Sequence, residues 1–341
     1  MNNRMKLKDI AALLKVSPAT VSLVLNNREG VGPAKRQEIE KVLLENGYQI
    51  SDHAEPKETK SIYFVKYKDH SMLVDGNPGF VNAIIDAVEK ECRRQGYNLI
   101  MTTCGKDKLG TVAAMIDQSS VHGVLLLGTE LTGEDMETIA NISVPLVVID
   151  NYLPMIDCTC ITMNNQEAIF KSVSYLAVLG HTQIGFIANQ LPSNNCRERR
   201  SAFEYALNQQ GLRFDESLVY DAYPTPDGAY KSICRLLKSN THFPSALVAN
   251  NDSIALGAMK ALKEFGYSIP EDISVIGFDS IPYSTISDPP LTTMEVSCLE
   301  MGIWAMRILC DRIQYPFSSN TKMQVGTKLL ERNSVVPYRN K

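Results

Sequence analysis

From residue 61 onward the chain alternates short apolar runs with amphipathic segments, and it does so in two series. SIYFVKY, YNLIMTTC, GVLLLG and PLVVID form the first set of runs; QIGFIA, SLVYDAY, SALVAN and DISVIGFD form the second. Runs this short that are apolar at most positions suit strands buried on both faces, as parallel sheets flanked by helices provide. The segments between them carry a helical period. In FVNAIIDAVEKECRRQGY, residues Val81, Ile84, Ile85, Val88 and Cys92 share one face, and DSIALGAMKALKEFG is a second example. Two series predict two doubly wound subdomains. Ligands in such sheets sit beyond the carboxyl ends of the strands, so the expected site is the cleft between the subdomains.

The first 50 residues read differently, as three short helices. KLKDIAALLK (6–15) places Leu7, Ile10, Ala11 and Leu14 on one side. In VSPATVSLVLNN (16–27), Ser17 is a cap candidate and Pro18 fits the first helical position, where its missing N–H has no intrahelical partner. Val21, Val24 and Leu25 form an apolar face, while Ala19 and Leu23 fall outside it and point outward. PAKRQEIEKVLLENG (33–47) is the third helix, started by Pro33 and stopped by Gly47. About two residues separate the first pair, a spacing that predicts a tight helix-turn-helix. SDHAEPKETK (51–60) has charges, a proline and no periodicity, and reads as a linker.

Charge divides along the same line. Residues 1–51 carry eight Lys/Arg against five Asp/Glu, whereas the remaining residues carry 26 against 33. A basic head on an acidic body fits a nucleic-acid binder, although the excess is small. At 341 residues the chain has ample length for two or three domains. Its eight cysteines are scattered; Cys158 and Cys160 lack the spacing and second ligand pair of a zinc site, so all eight are expected as reduced thiols. MNNRMKLKDI does not read as a signal peptide, and no run of about 18 apolar residues is present, so a cytoplasmic chain without a membrane span is expected.

Enzyme signatures are missing: no GxGxxG after a strand, no GxxxxGK[ST], no GxSxG and no HExxH. No cofactor and no metal is expected. His181 in LGHTQIGF reads as a helix-terminus or turn residue. Asp150 and Asp279 end the apolar strands VVID and VIGFD. A carboxylate there can accept hydrogen bonds from a polar ligand in the cleft; alternatively it caps a helix or bonds across a hinge.

KDIAALLKVSPATVSLVLNN, VGPAKRQEIEKVLLENGY, GNPGF, GHTQIGFI, ANNDSIALGAMKAL, PEDISVIGFDS, PPLTT and LLERNSVVP span nearly the whole chain. Together they resemble the lactose-repressor (LacI/GalR) family of bacterial transcriptional regulators. The resemblance implies an all-α helix-turn-helix head, a hinge and an α/β core of two doubly wound parallel-sheet subdomains. That core is of the type I periplasmic-binding-protein kind, its chain crossing between subdomains three times. The implied boundaries are 1–50 for the DNA-binding head, 51–60 for the linker and 61–341 for the core, with 61–161 and 292–322 in one subdomain and 162–291 and 323–341 in the other. The implied partners are double-stranded operator DNA, a small-molecule effector and a second copy of the chain, with no membrane. The implied function is a DNA-binding transcriptional regulator, a repressor, controlled by a sugar or sugar derivative in the cleft, a nucleobase or nucleoside being the next choice. The alternative is a soluble small-molecule-binding protein whose head no longer binds an operator.

By the same resemblance Pro18, Ala19 and Leu23 fall where base edges are read, and apolar side chains there suit thymine methyls. Ser17, Thr20, Ser22, Asn26 and Lys35 fall at phosphate or nearby polar contacts, which position without specifying; Thr20 and Ser22 are alternatively buried in the head. Lys15 stands where the family has a glycine, so a non-glycine is expected at positive φ, at a cost of about 1 kcal/mol. The linker departs most. Ala54 is kept, but Glu55 replaces an arginine, Pro56 interrupts and Lys57 takes the place of the leucine that wedges into the minor groove. For the effector, the resemblance implies Phe80 as the stacking aromatic, Gly79 as a smaller pocket wall, Arg199 as the forked donor, Asp150, Asn251 and Asp279 as polar contacts and Tyr223 as a second aromatic. Arg199 is expected to serve binding rather than packing; alternatively it is a surface helix residue like its neighbours Arg197 and Arg200.

Overall fold

The computed structural model describes residues 5–26, 28, 30–50, 60–239 and 241–339. The linker departures at Ala54, Glu55, Pro56 and Lys57 therefore lie outside the described residues. The chain divides into two units, residues 1–59 and 60–341.

In the first unit α1 (Leu7–Leu13), α2 (Pro18–Leu25) and α3 (Pro33–Glu45) bury Ile10, Ala11, Leu14, Val21, Val24, Ile39 and Leu43 against one another. Full burial of each large aliphatic side chain contributes about 1.5–3 kcal/mol, enough to set the angles of three short helices. The expected positive φ is present: Lys15 has φ 50°, and Val16 N–H donates to the Ala11 carbonyl at 3.0 Å, closing the end of α1.

The second unit begins with β1 (Ser61–Lys68), α4 (Met72–Asp75), α5 (Pro78–Arg94), β2 (Asn98–Gly105), α6 (Leu109–Asp117), β3 (Gly123–Leu127), α7 (Asp135–Ala140), β4 (Leu146–Ile149) and β5 (Cys160–Met163). It continues with α8 (Asn165–Val178), β6 (Ile184–Asn189), α9 (Asn194–Gln209), β7 (Val219–Ala222), α10 (Pro226–Lys238), β8 (Ala246–Ala249), α11 (Asp252–Glu264), β9 (Ser274–Asp279), α12 (Tyr283–Ile286), β10 (Thr292–Val296), α13 (Cys298–Gln314), β11 (Lys322–Val325) and β12 (Thr327–Leu330). Two six-stranded sheets result, ordered β2-β1-β3-β4-β5-β11 and β7-β6-β8-β9-β10-β12. Among the described residues all pairings are parallel except β10 with β12, an antiparallel edge that the expectation of parallel sheets did not contain.

The chain passes between the sheets after β5, after β10 and between β11 and β12. Each crossing falls a few residues beyond the expected 161, 291 and 322. The largest difference is at β10: Thr292 pairs with Ile276 and Glu295 with Asp279, so TTMEV extends the second sheet before the chain leaves it. Then α13 returns to the first subdomain and packs on α5. Gly302 permits this, because a Cβ there would lie 2.6 Å from Ala87 Cβ and 2.9 Å from the Ile84 carbonyl. All eight cysteines are free thiols, as expected, and four of them (Cys92, Cys104, Cys158 and Cys160) are buried. Among the described residues no helix is long and apolar enough to cross a membrane.

Candidate functional site

The outward face of α2 is polar at its edges and apolar at its tip. Ser17 caps the helix, its Oγ accepting from Thr20 N–H at 3.1 Å and pairing with Thr20 Oγ1 at 2.8 Å. Ser17, Pro18, Ala19, Ser22 and Asn26 are exposed, while Thr20 and Leu23 are half-buried. Leu23 therefore points outward only in part: a Cβ at Gly30 would lie 3.7 Å from its Cδ1, and its carbonyl accepts from Arg28 N–H at 2.8 Å. Asn26 turns back onto the helix, its Nδ2 donating to the Ser22 carbonyl at 2.8 Å. Lys35, half-buried at the start of α3, pairs with Glu38 at 2.8 Å. Both polar side chains can be recruited by a phosphate, but each has a local partner to leave.

In the second unit the cleft lies where the sheets' carboxyl ends face each other. Thr129 and Asp150 follow β3 and β4, and Asn77 and Phe80 lie at the start of α5. Asn195 and Arg199 come from α9, Asn250 and Asn251 follow β8, and Asp279 ends β9. They surround a cavity of about 40 Å³, far below the ~300–1,000 Å³ of a ligand pocket. The cleft is closed by contacts across it. Asn77 Nδ2 donates to Asp279 Oδ2 at 2.7 Å, Asn195 Nδ2 to Asp150 Oδ1 at 2.9 Å, and Asn194 Nδ2 to Asn151 Oδ1 at 2.7 Å. Gly79 does not widen the pocket; a Cβ there would lie 3.3 Å from Pro282 Cδ, so the glycine lets α5 approach the loop after β9. A ligand entering the cleft would have to part these contacts or replace them.

Arg199 stands at the centre, 5% exposed. Its Nη1 donates to the Asn250 carbonyl at 2.6 Å and its Nε to Asn165 Oδ1 at 2.8 Å. The guanidinium lies 3.6 Å from the Phe278 ring centroid, and Nη2 is 3.8 Å from Asp279 Oδ1. It is thus packed into the second subdomain and serves the fold as well as any ligand, contrary to the expectation that it would serve binding alone. Arg197 and Arg200 bond to Asn194 and Glu216 at the surface.

Burial pushes the Asp150 carboxyl up to about 7 and Asp279 up to about 6. Arg199 pulls both down; Thr129 and Asn195 hydrogen bonds do so for Asp150, and Asn77 does so for Asp279. Asp150 has φ 64° and Asp279 φ 102°. The second value lies outside the small left-handed well, a strain of about 1–3 kcal/mol of the kind that collects at binding sites.

Of the six expected effector residues, Phe80, Asp150, Arg199, Asn251 and Asp279 line this cavity. Tyr223 does not. It follows edge strand β7, is 37% exposed and packs beside the first turn of α10, where a Cβ on Gly228 would lie 2.7 Å from its own. Asn251 also caps α11, accepting from Ile254 N–H at 2.9 Å. Its neighbour Asn250 was missed, as were Asn77, Thr129 and Asn195. Two buried atoms here have no hydrogen-bond partner among the described residues: Asn77 Oδ1, an acceptor, and Asn250 Nδ2, a donor. The stretches GNPGF and ANND hold both residues, but only the folded chain brings them together. His181, as expected, is a turn residue, with ring nitrogens 2.9 Å from Ser245 Oγ and 3.0 Å from the Val336 carbonyl.

Residues 6–51 match the family "Bacterial regulatory proteins, lacI family" and residues 173–335 match "Periplasmic binding protein-like domain". The "HTH-type transcriptional repressor PurR" of Pasteurella multocida is 32% identical over 333 residues, covering 96% of this chain and 98% of the relative. The repressor of the same name from Vibrio atlanticus is 31% identical over the same shares. Among solved structures, the lac repressor dimer bound to operator and the anti-inducer ONPF superposes with TM-score 0.73 at 22% identity, covering 98% of this chain and 100% of that one. A complex of the transcriptional regulator CelR with cellobiose gives 0.72 at 24%, covering 97% and 100%. The chain therefore belongs to the lacI family of bacterial regulatory proteins, as a transcriptional repressor with an effector-binding core and not as an enzyme.

Proposed function

We propose that this chain is a cytoplasmic, homodimeric repressor that reads an operator with α2 and is controlled by a small polar effector held in the cleft. In this reading residues 1–50 bind DNA and the core binds the effector. The observation that carries it is the pair of orphaned buried atoms, Asn77 Oδ1 and Asn250 Nδ2, set around Arg199 and two carboxylates held partly protonated. Those atoms suit a ligand that both donates and accepts. A sugar or sugar derivative does this with adjacent hydroxyls, and Phe80 offers it an apolar face; a nucleobase or nucleoside is the second choice.

A thermal-shift screen of sugars and nucleosides tests this. A compound present at 100 times its dissociation constant stabilises by about 2.7 kcal/mol. The shift is expected to vanish when Asn250 is replaced by alanine, because the ligand loses its donor. Stabilisation that survives this change puts the effector elsewhere.

On the head, Pro18, Ala19 and Leu23 are assigned to base edges, and Ser17, Thr20, Ser22, Asn26 and Lys35 to phosphates. Leu23→Arg is expected to shift the selected sequence toward G·C at one pair per half-site, since a forked arginine–guanine contact gives about 1–3 kcal/mol of discrimination. Selection from randomised duplexes at fixed salt reads this out. If the variant selects the parent's site unchanged, the half-buried Leu23 belongs to the head's packing and not to base reading.

A further inference from the structure

Each carboxylate of the cleft takes a hydrogen bond from the opposite subdomain. Asp150, just past β4, accepts from Thr129 Oγ1 of its own subdomain at 2.5 Å and from Asn195 Nδ2 of the other at 2.9 Å. Asp279, at the end of β9, accepts from Asn77 Nδ2 across the cleft at 2.7 Å and has Arg199 Nη2 beside it at 3.8 Å. Closure of the cleft is therefore what takes both carboxylates out of water. The charges brought together do not balance. Among the described residues lining the cavity, the charged side chains are Asp150, Asp279 and a single cation, Arg199. Two carboxylates beside one guanidinium in a closed space favour a proton on one of them, and hydration in an open cleft removes that preference.

We propose that closure of this cleft is proton-linked: it shuts by holding a proton on the Asp150–Asp279 pair and opens when the pair is fully ionised, so that pH acts on the same movement as the effector. The link rests on the reading of this cleft as the effector's seat, but it needs no effector to operate. Other titratable groups nearby do not take this role. Asp252, at the start of α11, bonds to Thr293 Oγ1 at 2.6 Å and to Ile281 N–H at 2.9 Å and has Arg332 as its cation, all within the second subdomain, so it stays matched whether the cleft is open or shut. Glu198, next to Arg199 on α9, accepts from Asn165 Nδ2 of α8 at 2.8 Å, again within one subdomain. Cys196 and Cys298 face the pair as thiols that burial keeps protonated. Burial sets Asp150 to about 7 in the closed cleft, and a group that returns to an ordinary carboxylate value on opening lowers the closed-to-open ratio about tenfold between pH 6 and pH 8.5. Asp279, pushed up to about 6, adds about a further twofold.

Hydroxyl-radical footprinting of the unliganded full chain at pH 6 and pH 8.5 tests this. Met163 and Phe80 line the cavity at 1% and 6% exposure, while Met301, on α13, is as deeply buried but does not line it. Oxidation of Met163 and Phe80 is expected to rise with the open fraction, by up to about tenfold at the higher pH, and that of Met301 to stay level. Asp150→Asn keeps both of the residue's bonds, because the amide accepts from Asn195 and donates to the Thr129 hydroxyl, and asparagine suits the φ of 64°. It leaves one carboxylate for one guanidinium, so Met163 and Phe80 are expected to remain protected in this variant at pH 8.5. Parent oxidation equal at the two pH values, or a rise as large in Asp150→Asn as in the parent, overturns the proposal. A rise that Met301 shares is loosening of the whole unit and overturns it too. Neither result touches the effector assignment, which stands or falls on the ligand screen, and a screen without a hit does not alter the footprint.

Discussion

Arg199→Ala is expected to destabilise the 60–341 unit by about 3–5 kcal/mol at pH 8, as loss of one partner from a buried charge network does, and by less at pH 6. The pH dependence follows from the carboxylates it faces. Asp150 and Asp279 carry folded-state values raised above the unfolded one, so each weakens the fold progressively as pH rises from about 4 toward its folded value, and no further beyond it. Arg199 limits that loss by pulling both values down. Without it the two carboxyls stay protonated to higher pH, and the loss goes on accumulating above pH 6–7, where the parent's has levelled off. At pH 6 Asp150 is largely neutral and Asp279 about half ionised in the parent, so the variant there loses less charge pairing, in addition to the packing on Phe278 and the bonds to Asn250 and Asn165. Urea midpoints of parent and variant at the two pH values check this. A loss equal at pH 6 and pH 8 means that the arginine's charge is not what holds Asp150 and Asp279. Any effector-induced stabilisation is expected to disappear as well.

What the sequence disclosed and what it withheld follow one physical line. Local chemistry was legible. Ser17 caps α2 and Pro18 starts it because those choices depend on neighbours within one turn. Lys15 takes φ 50° because the turn between two docked helices demands it whatever residue stands there. Asp150 and Asp279 were legible because an apolar run that ends in a carboxylate marks the carboxyl end of a buried strand. Features set by distant pairing were not. TTMEV reads equally well as the last strand of one sheet or the start of a segment returning to the other; its pairing with Ile276–Asp279 decides. Tyr223 is a second cleft aromatic only by the family resemblance, but β7 is an edge strand and Tyr223, just after it, is partly open to solvent. For Arg199 the sequence leaves a binding group or a surface helix residue open, because nothing local shows that Phe278 lies under it. Asn77 and Asn250, 173 positions apart, stand in the quoted stretches GNPGF and ANND, but neither stretch shows that the two side chains share one cavity.

Glu130 was hidden for the same reason and yields the second large expected effect. It sits just beyond β3, and its side chain is fully buried. Oε2 accepts from the backbone N–H groups of Asp69, His70 and Ser71 at 2.7, 3.0 and 3.0 Å. Oε1 accepts from those of Leu73 and Val74 at 2.8 and 3.3 Å. One carboxylate thus gathers five donors, three from the chain between β1 and α4, which passes through Ser71 at φ 66°, and two from α4 itself. That segment carries Leu73 and leads into Asn77 and Phe80, the wall of the cleft. A successive run of N–H groups makes a concave anion site, here filled by the protein's own side chain. Glu130→Gln keeps the shape but sets an NH₂ against two or three N–H groups and removes the charge. The expected loss is about 3 kcal/mol or more, because buried donors left without an acceptor cost about 1–3 kcal/mol each. Hydrogen exchange on the unliganded chain separates this from general weakening. The amides of 69–74 are expected to lose far more protection than those of β3 and β4. With the wall released, the cleft latch between Asn77 and Asp279 loosens, and any compound found to bind there is expected to bind at least 10-fold more weakly, since 1.4 kcal/mol of lost positioning is tenfold in affinity. If amides 69–74 exchange no faster in the glutamine variant than in the parent, the carboxylate does not organise that wall.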